Sequence, residues 1–324
     1  INMTDDNARF VAAICNKLDG IALAIELAAV RLGVHGLRET DTLLDGRLKL
    51  EWRGRRTAPP RHQTLSATLD WSYNLVSDTE RLVLRRLAMF AGGFTLNAAV
   101  AVSGDDLPAG QVVDAIAQLV AKSLVSPRRD RSPMQYRLLD TTRSYAQKKL
   151  EESGEAKATA RRHAAYVLET LVAGIISAEK SAAEPAGAEL LGDARAALTW
   201  AFSDEGAREL RVPLSGASAS LLVQLNLLNE CRQVARRGLA ALDDGHRGGR
   251  WELELQSALG HAAMFTDRNS EEAEAALQRG LAVARELEDR PNQFRLLSRL
   301  NMFYRRTGEC ERLVPLAESA EQVA

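Results

Sequence analysis

The sequence predicts a mostly α-helical protein, in which a small domain with one β-hairpin is followed by stacked pairs of helices. Three observations support this prediction. Apolar residues recur every three to four positions along most of the chain, which is the period of an amphipathic helix. Only the stretch 123–138 shows the short alternating segments typical of a hairpin. In the second half, small residues and glycine recur where paired helices would touch.

Composition narrows the possible functions. The chain has 324 residues, which suggests two or three domains, and its 46% apolar content is sufficient for packed cores. The 42 basic and 43 acidic side chains nearly cancel, which argues against a globally basic nucleic-acid-binding protein. No apolar run approaches the ~18–20 residues of a membrane span, so we expect no membrane contact. The widely spaced cysteines Cys15, Cys231 and Cys310 indicate a reducing environment and a cytoplasmic location.

Motifs for catalysis and metal binding are missing from the sequence. A phosphate-binding P-loop needs a lysine directly after a glycine, and none of the seven lysines follows one. The five histidines form no H-x-x-x-H pair for zinc, and no G-x-S-x-G elbow for a nucleophilic serine occurs. We therefore predict no catalytic residues, no metal site and no enzymatic activity for this chain by itself.

The first residues predict a helical arm. An apolar stripe indicates a helix over 18–32, with Asp19 and Gly20 at its start. The basic, breaker-rich segment Arg53–Arg61 predicts a linker, which is either a weak anion-site candidate before the next helix or a solvated hinge. The chain begins without a signal sequence and ends inside a predicted helix, so we expect both ends to belong to a longer polypeptide. The arm is assigned to residues 1–56.

The residues after the linker show the element order of a winged-helix domain, assigned to 57–153. Ser77 and Glu80 form a capping box, in which each side chain satisfies the other residue's free amide. Short alternating segments flank a basic, proline-bounded tip and predict the hairpin. The predicted elements are helices over 64–75, from the capping box to Gly92, over 111–122 and over 140–152, with strands over 123–125 and 135–138.

Residues 154–324 show an irregular repeat that matches tetratricopeptide-like helix pairs. The clearest copy has Leu300, Tyr304 and the turn residue Gly308, followed by a helix with small residues. An earlier copy is centred on Gly260, and a weaker one carries Leu222, Leu225, Val234 and Ala241. The predicted fold is thus a winged helix with a small β-hairpin, followed by an α-helical tetratricopeptide-like superhelix that offers a long surface to partners.

Three segments resemble one family. The run Gly20-Ile21-Ala22-Leu23-Ala24 resembles the G-L-P-L-A motif of the NB-ARC branch of STAND signal-transduction ATPases. Residues 69–75 and 84–91 are similar to the start of that family's winged helix, and residues 136–146 align with the stretch that holds its M-H-D motif. The whole run from Leu18 to about His163 is similar to bacterial ATPase-type transcriptional regulators.

The resemblance implies a place for a nucleotide. The residues implied to lie near the adenine of ATP or ADP are Gly20, Ile21, Ala22 and Leu23. Two positions depart from the family: Ala22 replaces a proline, and Leu139 replaces the histidine that reads the β-phosphate, so only Asp140 of the M-H-D triplet persists. Without that histidine and without the ATPase domain, we expect no tight nucleotide binding by these residues alone.

The resemblance also implies partners. An ATPase domain upstream in the same chain would hold most of the nucleotide, an effector ligand or protein would bind the repeats, and DNA would be bound by a separate domain. A nucleotide-dependent oligomer is a further implication. From the residues alone, Asp140 is better explained as a helix N-cap that accepts from the Thr142 or Arg143 amide than as a nucleotide contact.

Three functions stay open from the sequence. The first is the regulatory and sensor segment of such a switch, with the winged helix clamping the ATPase domain. The second is a DNA-binding winged helix, for which the helix over 111–122 offers Gln111, Gln118 and Lys122 but also Asp114, and the tip 128–131 offers arginines. The third is a helical-repeat scaffold with no nucleotide role.

Overall fold

A computed structural model describes residues 5–18, 22–43, 65–128, 133–180, 188–267 and 271–323. Helices account for most of these residues, and the strands within these ranges form one small sheet. The chain divides into two compact units, Ile1–His163 and Ala164–Ala324. Within the described ranges, no helix combines the length and apolar composition that a bilayer crossing requires. The predicted mostly α fold class, with a winged helix followed by helical repeats, is confirmed.

The first unit begins with α1 (Asp5–Lys17), α2 (Ala22–Leu43) and α3 (Leu65–Asn74). α2 is longer than the helix predicted over 18–32, and it kinks at Gly36, whose φ of 76° is readily adopted only by glycine. The ammonium of Lys17 lies 2.8 Å from the Asp41 carboxylate and ties α1 to α2. A shared apolar core is formed by Ile14, Leu18, Ala28, Leu69 and Tyr145. The predicted linker Arg53–Arg61 lies outside the described residues.

The winged-helix part follows in the same unit. Its elements are α4 (Asp78–Leu87), β1 (Gly93–Phe94), α5 (Leu96–Ser103), α6 (Ala109–Ala121), β2 (Ser126–Arg128), β3 (Gln135–Arg137) and α7 (Asp140–Glu152). The sheet has the order β1-β3-β2 with antiparallel pairs, and Tyr136 lies opposite both Phe94 and Pro127. Fully buried side chains of α4, α5 and α6 form the core, among them Leu87, Val102 and Leu119. These contacts hold α6 in place with its other face outward.

Local signals placed several of these elements correctly. The capping box is present: the Glu80 amide donates to the Ser77 hydroxyl at 3.2 Å, and the Ser77 amide donates to the Glu80 carboxylate at 3.0 Å. The helix predicted over 140–152 has those bounds in the structure. Reciprocal satisfaction of free amides is a purely local interaction, so sequence is sufficient to predict it.

The hairpin differs from its prediction at one strand. The strand predicted over 123–125 lies instead at Ser126–Arg128. Ser123 adopts a left-handed φ of 58°, and the Leu124 and Val125 amides donate to the Leu119 carbonyl at 2.9 and 3.3 Å. These residues close the end of α6, so their buried apolar side chains belong to a helix terminus. β1 and α5, which the sequence analysis did not predict, complete the domain.

The second unit consists of helix pairs. α8 (Ala156–Lys180) contributes residues to both units, and the remaining helices are α9 (Leu191–Ala201), α10 (Arg208–Gln224), α11 (Leu228–Ala240), α12 (Arg250–Thr266), α13 (Glu271–Glu286), α14 (Arg290–Thr307) and α15 (Leu313–Val323). Short 3-10 turns at Ala188–Leu190 and Cys310–Arg312 precede α9 and α15. α14 ends at Gly308, whose φ of 83° gives the left-handed cap that the last repeat copy predicts.

Small residues allow the paired helices to approach closely. A methyl group placed on Gly260 of α12 would lie 2.6 Å from Cγ of Leu277 in α13. One placed on Gly238 of α11 would lie 2.6 Å from Cβ of Ser215 in α10. Both distances are shorter than an ordinary carbon–carbon contact, so only glycine fits at these positions. The tetratricopeptide-like reading of the Gly260 copy therefore corresponds to a real contact between two helices.

Candidate functional site

The α6 outer face is the surface that a winged helix of this type would present to a nucleic acid. We define it as the exposed residues Gln111, Val113, Asp114, Ala117, Gln118 and Ala121. Val112, Ile116 and Leu119 point the other way into the core, and this alternation at helical period fixes which side of α6 is outside.

The α6 outer face carries no free positive charge. Its one ionised residue is Asp114, and the next basic residue along the chain, Lys122, lies 2.5 Å from the Glu80 carboxylate. Glu80 is 7% exposed and already belongs to the capping box of α4. Lys122, the cation predicted for phosphate contact, is thus exposed but paired with the Glu80 carboxylate. The face that remains is small, partly apolar and slightly acidic.

The hairpin supplies the basic residues that α6 lacks. Arg128 at the end of β2 and Arg137 at the end of β3 lie on the described part of the wing. Arg137 is exposed, and Arg128 is partly exposed. The rest of the predicted basic tip, residues 129–132, lies outside the described residues. Within the described part of the wing, Arg128 and Arg137 are thus the candidates for phosphate contact.

Of the five residues predicted to lie near a nucleotide, Gly20 and Ile21 lie outside the described residues. Ala22 and Leu23 are the first two residues of α2. Asp140 is exposed and is the first residue of α7, the helix that follows the wing. The role of these residues toward ATP or ADP stays a prediction.

Asp140 is not the N-cap that was considered for it. The cap is Leu139, which makes no side-chain capping bond, and the Arg143 amide donates to the Leu139 carbonyl at 2.7 Å. The Asp140 carboxylate instead lies 3.6 Å from the Arg143 guanidinium. The backbone carbonyl of Asp140 accepts from the Ser144 hydroxyl at 2.8 Å. An acidic residue in the first turn still stabilises α7 through the helix dipole.

A buried arginine, which the sequence analysis did not single out, fastens the domain together. Arg86 of α4 is 5% exposed and donates to both Asp106 oxygens at 2.8 Å, to the Ser103 carbonyl and to Glu155 at 3.4 Å. Burial lowers the pKa of Arg86, but the bonds and charges of Asp106 and Glu155 outweigh it and raise that pKa. The hydrogen bond from Arg86 likewise lowers the pKa of Asp106. These partners lie 17 or more residues away in sequence, so no local pattern marks them.

A second network joins α3 to α7. The Tyr145 hydroxyl donates to the Asp70 carboxylate at 2.6 Å, and the ring of Tyr145 packs edge-on against Tyr73 at a centroid distance of 5.6 Å. Burial raises the pKa of Tyr145, and the bond to Asp70 raises it further. Tyr73 and Tyr145 are therefore structural residues, whereas Trp71, which also belongs to α3, is 52% exposed.

The described residues contain no group of three or more His, Cys, Asp or Glu side chains arranged to hold a metal ion. The thiols of Cys15, Cys231 and Cys310 are free. Cys231 is fully buried, whereas Cys310 is exposed and Cys15 is partly exposed. Burial raises the pKa of the Cys231 thiol to about 12, so this thiol is unreactive at neutral pH.

Comparison with known proteins identifies the central domain. The winged helix-turn-helix domain family matches residues 76–151. These residues form a winged helix-turn-helix domain. Over 165 residues, or 51% of this chain, the sequence is 45% identical to the "Putative HTH-type transcriptional regulator Rv0890c" of Mycobacterium tuberculosis. Over 160 residues it is 43% identical to the "Uncharacterized protein Rv0894" of the same organism.

The extent of these matches is partial. The matched residues span 19% of the length of the first relative and 41% of the second. The solved structure of a STAND protein with a tetratricopeptide repeat sensor from Pyrococcus horikoshii aligns with 92% of this chain and 52% of its own, at 11% identity and a TM-score of 0.37. The chain thus contains a winged helix-turn-helix domain, is similar to transcriptional regulators over half its length, and continues into helical repeats.

Proposed function

We propose that this chain is the regulatory segment of a cytoplasmic transcriptional regulator that is switched by ATP or ADP. The winged helix packs against a nucleotide-binding domain of the same protein, and the repeats bind an effector or a partner protein. This segment catalyses nothing itself; nucleotide chemistry belongs to the upstream domain. Gly20–Leu23 and Asp140 face the nucleotide in that assembly, which can form nucleotide-dependent oligomers, while a separate domain binds DNA.

The charge of the α6 outer face is the observation that carries this proposal. Nucleic-acid affinity comes largely from Lys and Arg on phosphates, each contact releasing counterions. The face offers Asp114 and no unpaired cation, because Lys122 is bound to Glu80. Val113, Ala117 and Ala121 instead form a small surface without long side chains, which suits close packing against another protein domain. The fold is that of a DNA-binding domain, but the composition of this surface is typical of a contact between protein domains.

A nucleotide switch then follows from linkage. A domain that packs on the ADP-bound form and not on the open form stabilises ADP binding, and an effector that favours the open form reverses this. The winged helix is the packing element of this proposal, and the repeats carry the effector. The partner of the winged helix is therefore expected to be a domain in cis.

One substitution separates packing from DNA binding. We expect Ala117→Arg, made in the full-length protein, to place a long cation on the packed surface and weaken ADP binding in calorimetric titration by about tenfold, equivalent to ~1.4 kcal/mol. Ala158→Arg is the matched control, because Ala158 is an exposed alanine on α8 of the same unit. Unchanged ADP affinity in Ala117→Arg would contradict the packing role.

DNA binding by this domain is the second candidate, which the winged helix-turn-helix match and the named relative favour. In that case Ala117→Arg adds a phosphate contact and strengthens binding of duplex DNA, with a steeper dependence on salt. Arg137→Glu on the wing weakens it. Gel-shift titrations of the 324-residue chain at several salt concentrations measure both effects, and a salt-dependent shift of duplex DNA by the unmodified chain would favour this candidate.

A further inference from the structure

A cleft in the second unit is lined by the first helix of successive helix pairs. Its volume is about 230 Å³, and its walls come from α8, α10, α12 and α14. The polar residues used below are Ser220, Glu254, Ser257, Arg295 and Arg299. Val223 and Ala258 contribute apolar surface between them. The cleft is thus a concave surface with an apolar floor and a few convergent polar groups, which is the usual composition of a ligand site.

Within the described part of the chain, Arg299 is a cation without an anionic partner. Its Nη1 donates to the carbonyl and hydroxyl oxygens of Ser257 at 3.0 and 2.6 Å. Among the described residues, its Nε and Nη2 atoms make no hydrogen bond and no ion pair involves it. Burial, together with the charge of Arg295, lowers its pKa to about 10, so Arg299 is still protonated at neutral pH. The guanidinium is thus held by neutral groups with two donor atoms unused.

Arg295 places a second cation at the same cleft. It precedes Arg299 by one helical turn on α14, so both side chains project from the same side of that helix. Arg295 is exposed, and within the described part of the chain no hydrogen bond or ion pair engages it. Two like charges side by side repel each other, which the direction of the Arg299 pKa reflects.

The one acidic group of the cleft is already engaged. The Ser220 hydroxyl donates to the Glu254 carboxylate at 2.9 Å, and Glu254 is 8% exposed. Its charge favours the protonated form of Arg299, but the two side chains form no ion pair. Two arginines and one glutamate leave the cleft with one net positive charge. The nearby His261 is uncharged at neutral pH, since burial and Arg299 lower its pKa to about 4.

A desolvated cation is costly unless an anion compensates it. The planar fork of a guanidinium matches the two oxygens of a carboxylate or phosphate. We propose that this cleft binds a small ligand bearing a carboxylate or phosphate group, held by Arg295 and the free Nε and Nη2 atoms of Arg299. The Ser220–Glu254 pair lies beside this anion site and can bind a second polar group of the ligand, such as a hydroxyl or an ammonium.

The site supplies a ligand class for the effector role that we propose for the repeats. Binding itself involves only residues of the second unit, so it can be tested without the nucleotide switch. If the switch fails its test and the cleft binds an oxyanion, the repeats are a freestanding receptor. If the cleft binds nothing, the winged-helix proposal is unaffected.

The experiment titrates the 324-residue chain with inorganic phosphate and, separately, with succinate, by isothermal calorimetry at a constant ionic strength set with chloride. Saturable binding of one probe is the expected result, and the probe that binds distinguishes a phosphate from a carboxylate ligand. Succinamide, which keeps the shape of succinate without its charge, is expected not to bind. No saturable binding of either oxyanion would overturn the proposal.

Variants locate the binding. Arg295→Gln removes an exposed charge with no partner, so folding is expected to be unchanged while affinity falls about tenfold, the effect of losing one charge-assisted hydrogen bond. Arg299→Lys keeps the charge but loses the fork, and affinity is expected to fall as well. Arg305→Gln is the matched control, because Arg305 is exposed on the same helix and does not line the cleft. Equal weakening by Arg295→Gln and Arg305→Gln would show a general charge effect and refute the site.

Discussion

Replacing Gly260 by alanine tests the closest helix contact of the repeats. The added methyl would lie 2.6 Å from Cγ, 2.7 Å from Cδ2 and 3.2 Å from the backbone nitrogen of Leu277. Carbon atoms pack at about 3.5–4.0 Å, so α12 and α13 must separate by roughly 0.9 Å or Leu277 must leave its rotamer. Overpacking of this kind costs about 1–3 kcal/mol. Alanine recovers up to ~1 kcal/mol of helix propensity.

The net expectation for Gly260→Ala is a loss of about 1 kcal/mol in the free energy of unfolding. For a unit of this size, that lowers the melting temperature by about 2–4 °C in thermal unfolding followed by circular dichroism. Leu277 is fully buried, so solvent offers the displaced side chain no alternative position. The sign of the change in melting temperature, more than its size, tests the close contact between α12 and α13.

Gly174→Ala is the matched control with the opposite sign. Gly174 lies in the interior of α8, is exposed, and has no atom within 4 Å of the position a methyl would take. Alanine there is expected to raise the free energy of unfolding by up to ~1 kcal/mol, because it restricts the unfolded chain and favours the helix. Both glycines belong to the second unit and report on the same transition. If Gly260→Ala stabilises the chain as much as Gly174→Ala does, the close approach of α12 and α13 is refuted.

Three further predictions address other elements. Ser77→Ala removes half of the capping box and is expected to cost about 1 kcal/mol in urea denaturation, whereas retained stability would argue against the box. Arg86→Met removes a buried guanidinium and is expected to lower the free energy of unfolding by about 2–3 kcal/mol. The pKa of the Asp106 carboxyl is expected to return to its ordinary value in an NMR titration. An Asp106 carboxyl whose pKa stays low would contradict the pairing. The pKa of His261 is about 4 in the folded chain and near 6.5 in the unfolded chain. The contribution of its neutral form to the free energy of unfolding is therefore complete above pH 6.5 and is lost as the pH falls toward 4. His261→Phe is expected to flatten that part of the pH profile of urea midpoints, and an unchanged slope would count against it.

Local interactions explain most of what the sequence could predict about the fold. The capping box and the left-handed cap at Gly308 each depend on residues within a few positions of one another. α5, with the sequence Leu96–Ser103, has almost no polar face, so no periodic pattern distinguishes it from a loop. β1 is two residues long and exists because β3 pairs with it across more than forty positions. Elements of this kind are set by tertiary contacts.

The cleft lined by α8, α10, α12 and α14 could not be predicted from the sequence for the same reason. Arg299 meets Ser257 across 42 residues, and Ser220 meets Glu254 across 34. The repeat spacing is irregular, so the sequence does not fix which residues of successive first helices come together. Helical periodicity alone places Arg295 and Arg299 on one side of α14. It cannot say that Glu254, a carboxylate lining the cleft, bonds to Ser220 and forms no ion pair with them.

The charge of α6 is the observation on which the proposed packing role depends. The fold match identifies a helix-turn-helix, yet recognition by that motif requires donors and cations on one exposed face. In this chain, Glu80 serves two purposes, since it caps α4 and binds Lys122, and the result is a helix without a free cation. Glu80→Gln would keep a side chain able to bond the Ser77 amide but would release Lys122. If DNA binding then appears in a chain that lacked it, the Glu80–Lys122 ion pair is what prevents it; if it does not appear, release of Lys122 alone is not sufficient for DNA binding.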